Sequence, residues 1–149
     1  MIKRTHLAVG LAVGLYFLPF VTHKLFFIPI VLLGSILPDI DSATSFLGRR
    51  RIFRPVQLFF RHRGPIHSYT VCGIICLIFA FFYPVVALPL FFGYSLHLFL
   101  DSFTVGGIKP LWPLNFQSSG IVRTGGAIDK VMFSIFIVVD FFLFILLFV

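Results

Sequence analysis

The sequence contains no glutamate and only five aspartates, and charged residues fill 11% of its 149 positions. Soluble domains carry roughly a quarter. That scarcity excludes an ordinary soluble domain, because a chain of this length must leave a large part of its surface facing water. Cysteine is nearly absent too. Cys72 and Cys76 stand four apart inside one apolar run, so they read as small buried hydrophobes, outside any disulfide framework or thiolate metal site. There is no G-x-S-x-G nucleophile elbow and no Walker loop, which removes the common serine-hydrolase and nucleotide-binding classes. Internal repeats and low-complexity tracts are lacking as well, so residues 1–149 read as one domain.

Apolar residues dominate what is present. They make up 59% of the chain, with 22 phenylalanines and a mean hydropathy of +1.07, the composition of an integral membrane protein. Apolar runs fall at 7–21, 25–38, 69–83, 85–100 and 131–149. A helical span needs about 20 residues, with about 17 tolerated, so the first two runs are short and fit thin spans or a re-entrant hairpin. The expected fold is all-α, a membrane helical bundle of four or five membrane helices. "MIKRT" and the first run resemble a signal peptide in outline, but "LPFVTHK" offers no small-x-small cleavage site, so the run is expected to be retained.

Basic residues set the expected orientation. Arg49, Arg50, Arg51, Arg54, Arg61 and Arg63 crowd the connection at about 42–67. Lys3 and Arg4 precede the first run, and Lys109, Arg123 and Lys130 lie at about 102–130. The positive-inside rule puts the N-terminus and both connections on the cytoplasmic side of a multi-pass protein. The net charge of +7 then reflects topology and anionic lipid, and indicates no nucleic acid.

That orientation gathers His6, Asp39, Asp41, His62, His67, His97 and Asp101 at the cytoplasmic helix ends, whereas His23 and Asp140 lie elsewhere. Both residue types ligate metals. His97 and Asp101, four apart, share a helix face. His62 and His67 flank Gly64 and Pro65, so His67 is expected to open the third helix while His62 reaches in from the loop. Asp39 and Asp41 share a side only if the chain is extended there. Seven ligands exceed the needs of one four-coordinate ion and fit two ions with about three protein ligands each. Imidazole with carboxylate suits Zn, Mn or Fe better than Ca or Mg. Arg63 beside them could stabilise developing negative charge, since guanidinium matches phosphate geometry, or serve topology alone. Ser68 reads as a helix cap, with support of a ligand as the other role.

The motifs "THLAVG", "LPDID", "HRGPIHS", "HLFLDSFTVGG" and "LWPL", in this order over roughly residues 5 to 115, resemble the YdjM-like family, described as LexA-binding, inner-membrane-associated metal-dependent hydrolases. The resemblance implies site positions at His6, Asp39, Asp41, His62, Arg63, His67, Ser68, His97, Asp101 and Thr104, and a location in the bacterial inner membrane. The His–Asp–His–HxxxD order is more distantly similar to zinc-dependent phospholipase C and related single-strand nucleases, which cleave phosphate esters with clustered zinc ions. Ile66 departs from the threonine expected before the His-Ser pair, and the further His and Glu ligands of those soluble enzymes have no counterpart after Asp101.

The expected activity is hydrolysis by metal-activated hydroxide at the cytoplasmic interface, on phosphate esters, phospholipid-like molecules or another phosphodiester. The connection 102–130 could form a lid over the site. A structural or partner-recruiting metal site is the alternative, and a metal or proton transporter a more distant one. "GLAVG", with Gly10 and Gly14 four apart, allows close helix packing, either internal or in a homo-oligomer. Asp140, deep in the last run, needs a partner, for which Tyr94, Ser95 or a subunit contact are candidates.

Overall fold

A computed structural model describes residues 1–42, 54 and 64–149. Five α-helices account for most of them: α1 (Lys3–Phe17), α2 (Lys24–Gly34), α3 (Tyr69–Phe82), α4 (Pro84–Ser102) and α5 (Ala127–Leu146). No strand forms among the described residues. Isolated bridges, Thr104 with Val122 and Ile108 with Ser118, fold the connection after α4 back on itself. The helices follow the apolar runs, and prolines and glycines set their limits. Pro84 opens α4, where its missing N–H costs nothing. Ser68 caps α3 by accepting from the Val71 N–H at 3.2 Å, as its position before the third run suggests. The second run stops early, at Gly34, and Leu37–Asp41 continues as a 3₁₀ turn with Pro38 near its start.

Of the described helices, α4 alone is both long and apolar enough to cross a membrane. Its 19 residues rise about 28 Å, close to the roughly 30 Å hydrocarbon core. α2 and α3 are apolar but shorter, and the 20 residues of α5 carry Asp129, Lys130 and Asp140.

Glycines let the helices approach. A Cβ on Gly14 would stand 3.3 Å from the Ile28 side chain, and one on Gly10 would collide with Ser35. The "GLAVG" pair is therefore spent on packing α1 against α2 inside the chain. The α2–α4 crossing is tighter. A Cβ on Gly34 would lie 2.9 Å from the Leu90 carbonyl oxygen, and one on Gly93 2.8 Å from the Ser35 nitrogen. α3 packs on the other side of α4 through Cys72, Cys76, Leu90, Tyr94 and Leu98, with Ile108 added from the following connection. α5 lies beside α1.

The distribution of polarity is inverted relative to a soluble protein. Thr5, His6, Asp41, His67, His97, Asp101 and Asp129 are buried, while Leu25, Leu77, Phe81, Phe141 and Phe148 are exposed. An apolar exterior around a polar interior is what lipid solvent favours, because unsatisfied polar groups cannot face hydrocarbon.

Candidate metal centre

The site sits where four elements end together. His6 lies in the first turn of α1 and Asp39 on the 3₁₀ turn after α2. His67 closes the Pro65–His67 turn before α3, and His97 and Asp101 occupy the last two turns of α4. The Gly34–Gly93 crossing explains how α2 reaches it. Gly93 stands one turn before His97, and close approach there brings the Ser35 carbonyl, at the end of α2, to 2.8 Å from His97 Nδ1.

That bond fixes the imidazole. A carbonyl only accepts, so Nδ1 carries the proton and donates, leaving Nε2 with its lone pair directed into the site. His67 is held in the same way. Its Nδ1 lies 3.1 Å from the Asp41 carboxylate, both side chains fully buried, which again turns Nε2 inward. His6 stacks on His97 with ring centroids 3.9 Å apart and planes 14° from parallel.

Asp101 stands between these rings. One oxygen lies 3.3 Å from His6 Nε2. The other lies 3.8 Å from His97 Nε2 and 4.0 Å from His67 Nε2. The Met1 α-amino group also meets this carboxylate, so Asp101 already faces a positive charge. Asp39 approaches His97 Nε2 at 3.8 Å and is the one acid of the group with partial exposure, 22% for its side chain. Burial raises the Asp39 carboxyl above its ordinary value, opposed by His6 and His67.

Two overlapping trios result, His6–His97–Asp101 and Asp39–His67–His97, with the donor atoms of each within 4.8 Å of one another. Donors about 2.0–2.1 Å from a tetrahedral zinc lie about 3.3 Å apart, so each trio would have to draw its donors closer by up to about 1.5 Å to close on an ion. The burial of His6 and His97 supports the fit. Nδ1 of His6 and Nε2 of His97 have no hydrogen-bond partner among the described residues. Leaving such a group unsatisfied costs about 1–3 kcal/mol, and a metal ion would relieve that cost.

The sequence-predicted residues separate into classes. His6, Asp39, His67, His97 and Asp101 come together. Asp41 stands behind His67 and belongs to neither trio. His62 and Arg63 lie outside the described residues. Ser68 caps α3 and donates to the Pro65 carbonyl at 2.6 Å. The Thr104 hydroxyl bonds the Asp101 carbonyl at 2.7 Å, tying the following connection to the end of α4. Asp39 and Asp41 reach the same region from a 3₁₀ turn with no extended segment, Asp39 at 3.8 Å from His97 and Asp41 at 3.1 Å from His67.

Sequence reading missed Asp129. Fully buried at the start of α5, it accepts from the Thr5 hydroxyl at 2.6 Å, the Ile2 N–H at 2.9 Å and the Gly125 N–H at 2.8 Å. It therefore anchors the turn of α1 that carries His6. An acid in a helix's first turn just after Gly125–Gly126 was the available signal. The suggested partners of Asp140 do not hold. Tyr94 donates to the Ile66 carbonyl and Ser95 to that of Phe92. Asp140 instead borders a cavity of about 280 Å³ with Arg4, Leu11 and Phe133, and its oxygens have no hydrogen-bond partner among the described residues.

Comparison with known proteins shows the chain's family. The family model described as "YdjM inner membrane protein" matches residues 1–148. The inner membrane protein YdjM of Escherichia coli is 34% identical over 99 residues, which cover 60% of this chain and 50% of the relative; that of Shigella flexneri matches to the same extent. The uncharacterized protein YvsG of Bacillus subtilis is 34% identical over 84 residues, 54% of this chain and 52% of its own length. The chain thus spans about half the length of the curated relatives it matches. No solved structure matches it.

Proposed function

The chain belongs to the YdjM inner membrane protein family, and from that premise we propose that it is a multi-pass inner-membrane hydrolase of phosphate esters, with a divalent-metal site at the cytoplasmic surface. One observation carries the reading: two His/Asp trios, buried except at Asp39, that share His97. A Lewis acid there would polarise a phosphoryl oxygen and lower the pKa of water from about 15.7 toward 7. The chain's own groups prepare the site. The Ser35 carbonyl and the Asp41 carboxylate hold His97 and His67 in the tautomer that directs Nε2 inward. Asp101 completes one trio and lies 4.0 Å from His67 of the other, and Asp39 forms the open edge where a substrate oxygen can approach. From the sequence alone, His62 would add a further ligand and Arg63 a guanidinium for the phosphate. Zn suits the donors, with Mn and Fe as alternatives. The positive-inside pattern supports a cytoplasmic N-terminus.

A second reading has its own observation. Apart from Asp39, the trio residues are almost wholly buried, and closed sites are the mark of structural metals. In that reading the ion fastens helix ends and no reaction follows.

Metal analysis of the detergent-purified protein comes first, beside His97→Ala/Asp101→Ala. The expected result is near-stoichiometric Zn, Mn or Fe, absent from the double variant. Metal-free protein after reconstitution with each ion would defeat both readings. Metal without turnover of any phosphate ester or phospholipid would leave the structural one.

A further inference from the structure

The connection between α4 and α5 is ordered and unexpectedly apolar at its tip. Ile108 and Ser118 exchange backbone hydrogen bonds at 2.8 and 2.9 Å, and Val105 and Val122 pair across the base. The Ile108 side chain is buried among Tyr94 and Leu98. Between these paired residues, "LWPLNFQ" (111–117) is exposed throughout. Leu111, Leu114 and Phe116 are 52%, 62% and 60% exposed, and Trp112 39%. Residues 102–128 contain Lys109 and Arg123 and no acidic residue.

An exposed patch of this kind marks an interaction surface, and its chemistry selects among partners. Aromatic and aliphatic side chains flanked only by cations fit the boundary between anionic headgroups and acyl chains. Position agrees, because the connection begins where the membrane-crossing α4 ends. We infer that the 103–126 hairpin is seated in the lipid leaflet on the side of the metal centre, with Leu111, Trp112, Leu114 and Phe116 as its inserted tip. The seat is mechanically joined to the site. The Pro110 carbonyl accepts from the Tyr69 N–H at 2.9 Å, two residues after His67, and Thr104 grips the Asp101 carbonyl. The trios are thereby held at headgroup depth, where a phosphate carried on a lipid arrives by lateral diffusion. This last consequence rests on the hydrolase reading; the lipid seat does not.

Trp112 is the sole tryptophan, so the full chain reports on its own tip. In liposomes of phosphatidylethanolamine and phosphatidylglycerol, Trp112 emission should be blue-shifted. Lipids brominated on the upper acyl carbons should quench it severalfold, while aqueous acrylamide should have little effect. Leu114→Asp should shift the emission to the red and exchange the two quenching patterns. Quenching by acrylamide alone, or protection from both quenchers, would overturn the inference by placing the tip in water or against protein. Repeating the measurement with chelator separates the two readings. Unchanged bromolipid quenching keeps the seat even where no hydrolysis is found.

Discussion

At the scale of single residues, the imidazole orientations govern what the site can hold. Asp41 is a positioning residue for His67, so Asp41→Asn should keep the fold while lowering metal affinity by about 10- to 100-fold. Competition against a chromophoric chelator would measure it, and an unchanged affinity would remove Asp41 from the site's machinery. Asp129 acts one residue away from a ligand, through Thr5. Asp129→Ala leaves three donors without their acceptor and should destabilise the protein by about 2–3 kcal/mol. Its metal signature is selective. The trio containing His6 should weaken, while Asp39–His67–His97, which uses no residue of α1, should retain its ion in a stoichiometry assay. The His/Asp composition of the site was legible in the sequence, because few polar residues exist in so apolar a chain. The roles of Asp41 and Asp129 were not, since ligand and supporting carboxylate are chemically identical until the partner atoms are known.

Among the elements, the α2–α4 crossing matters most. Gly93→Ala would thrust a methyl group into the end of α2, forcing the helices apart. Such overpacking costs about 1–3 kcal/mol, and it would also lengthen the His97–Ser35 bond. The expected outcome is a lowered melting temperature in detergent together with loss of metal. Gly73 provides the contrast. A Cβ there meets nothing within 4 Å, so Gly73→Ala should be neutral or add up to about 1 kcal/mol from helix propensity, with metal content unchanged. Helix positions followed from the apolar runs, but this crossing did not. Gly34 and Gly93 are far apart in sequence, and nothing local distinguishes a glycine at a contact from Gly73 in open space. The early end of α2 was hidden for a related reason: Ile36 and Leu37 are apolar, so hydropathy continues past the point where the helical backbone stops.

For the whole molecule, candidate ligands drawn from separate elements would link metal binding to global stability. An ion that binds the folded state alone at 100 times its dissociation constant adds about 2.7 kcal/mol. Zinc should therefore raise the unfolding temperature of the wild-type protein and leave that of His97→Ala/Asp101→Ala unmoved. Imidazole must be neutral to ligate, so protons compete with the ion. The zinc-dependent increment should therefore shrink as the solution is acidified. The convergence of these residues at one end of the bundle was the most informative inference from sequence, because alternating helix directions carry distant segments to a common face. Asp140 shows the limit: a lone acid in an apolar run announces a cost without saying how it is met.

His97 belongs to both trios, and it comes late in the chain. During synthesis, His6, Asp39 and His67 emerge first, yet neither trio exists until α4 has followed them. A ribosome-bound chain ending before residue 97 would thus present scattered donors and no trio. Metal loading, where it occurs, comes after the fourth helix is in place, and so marks a chain whose insertion has passed that stage.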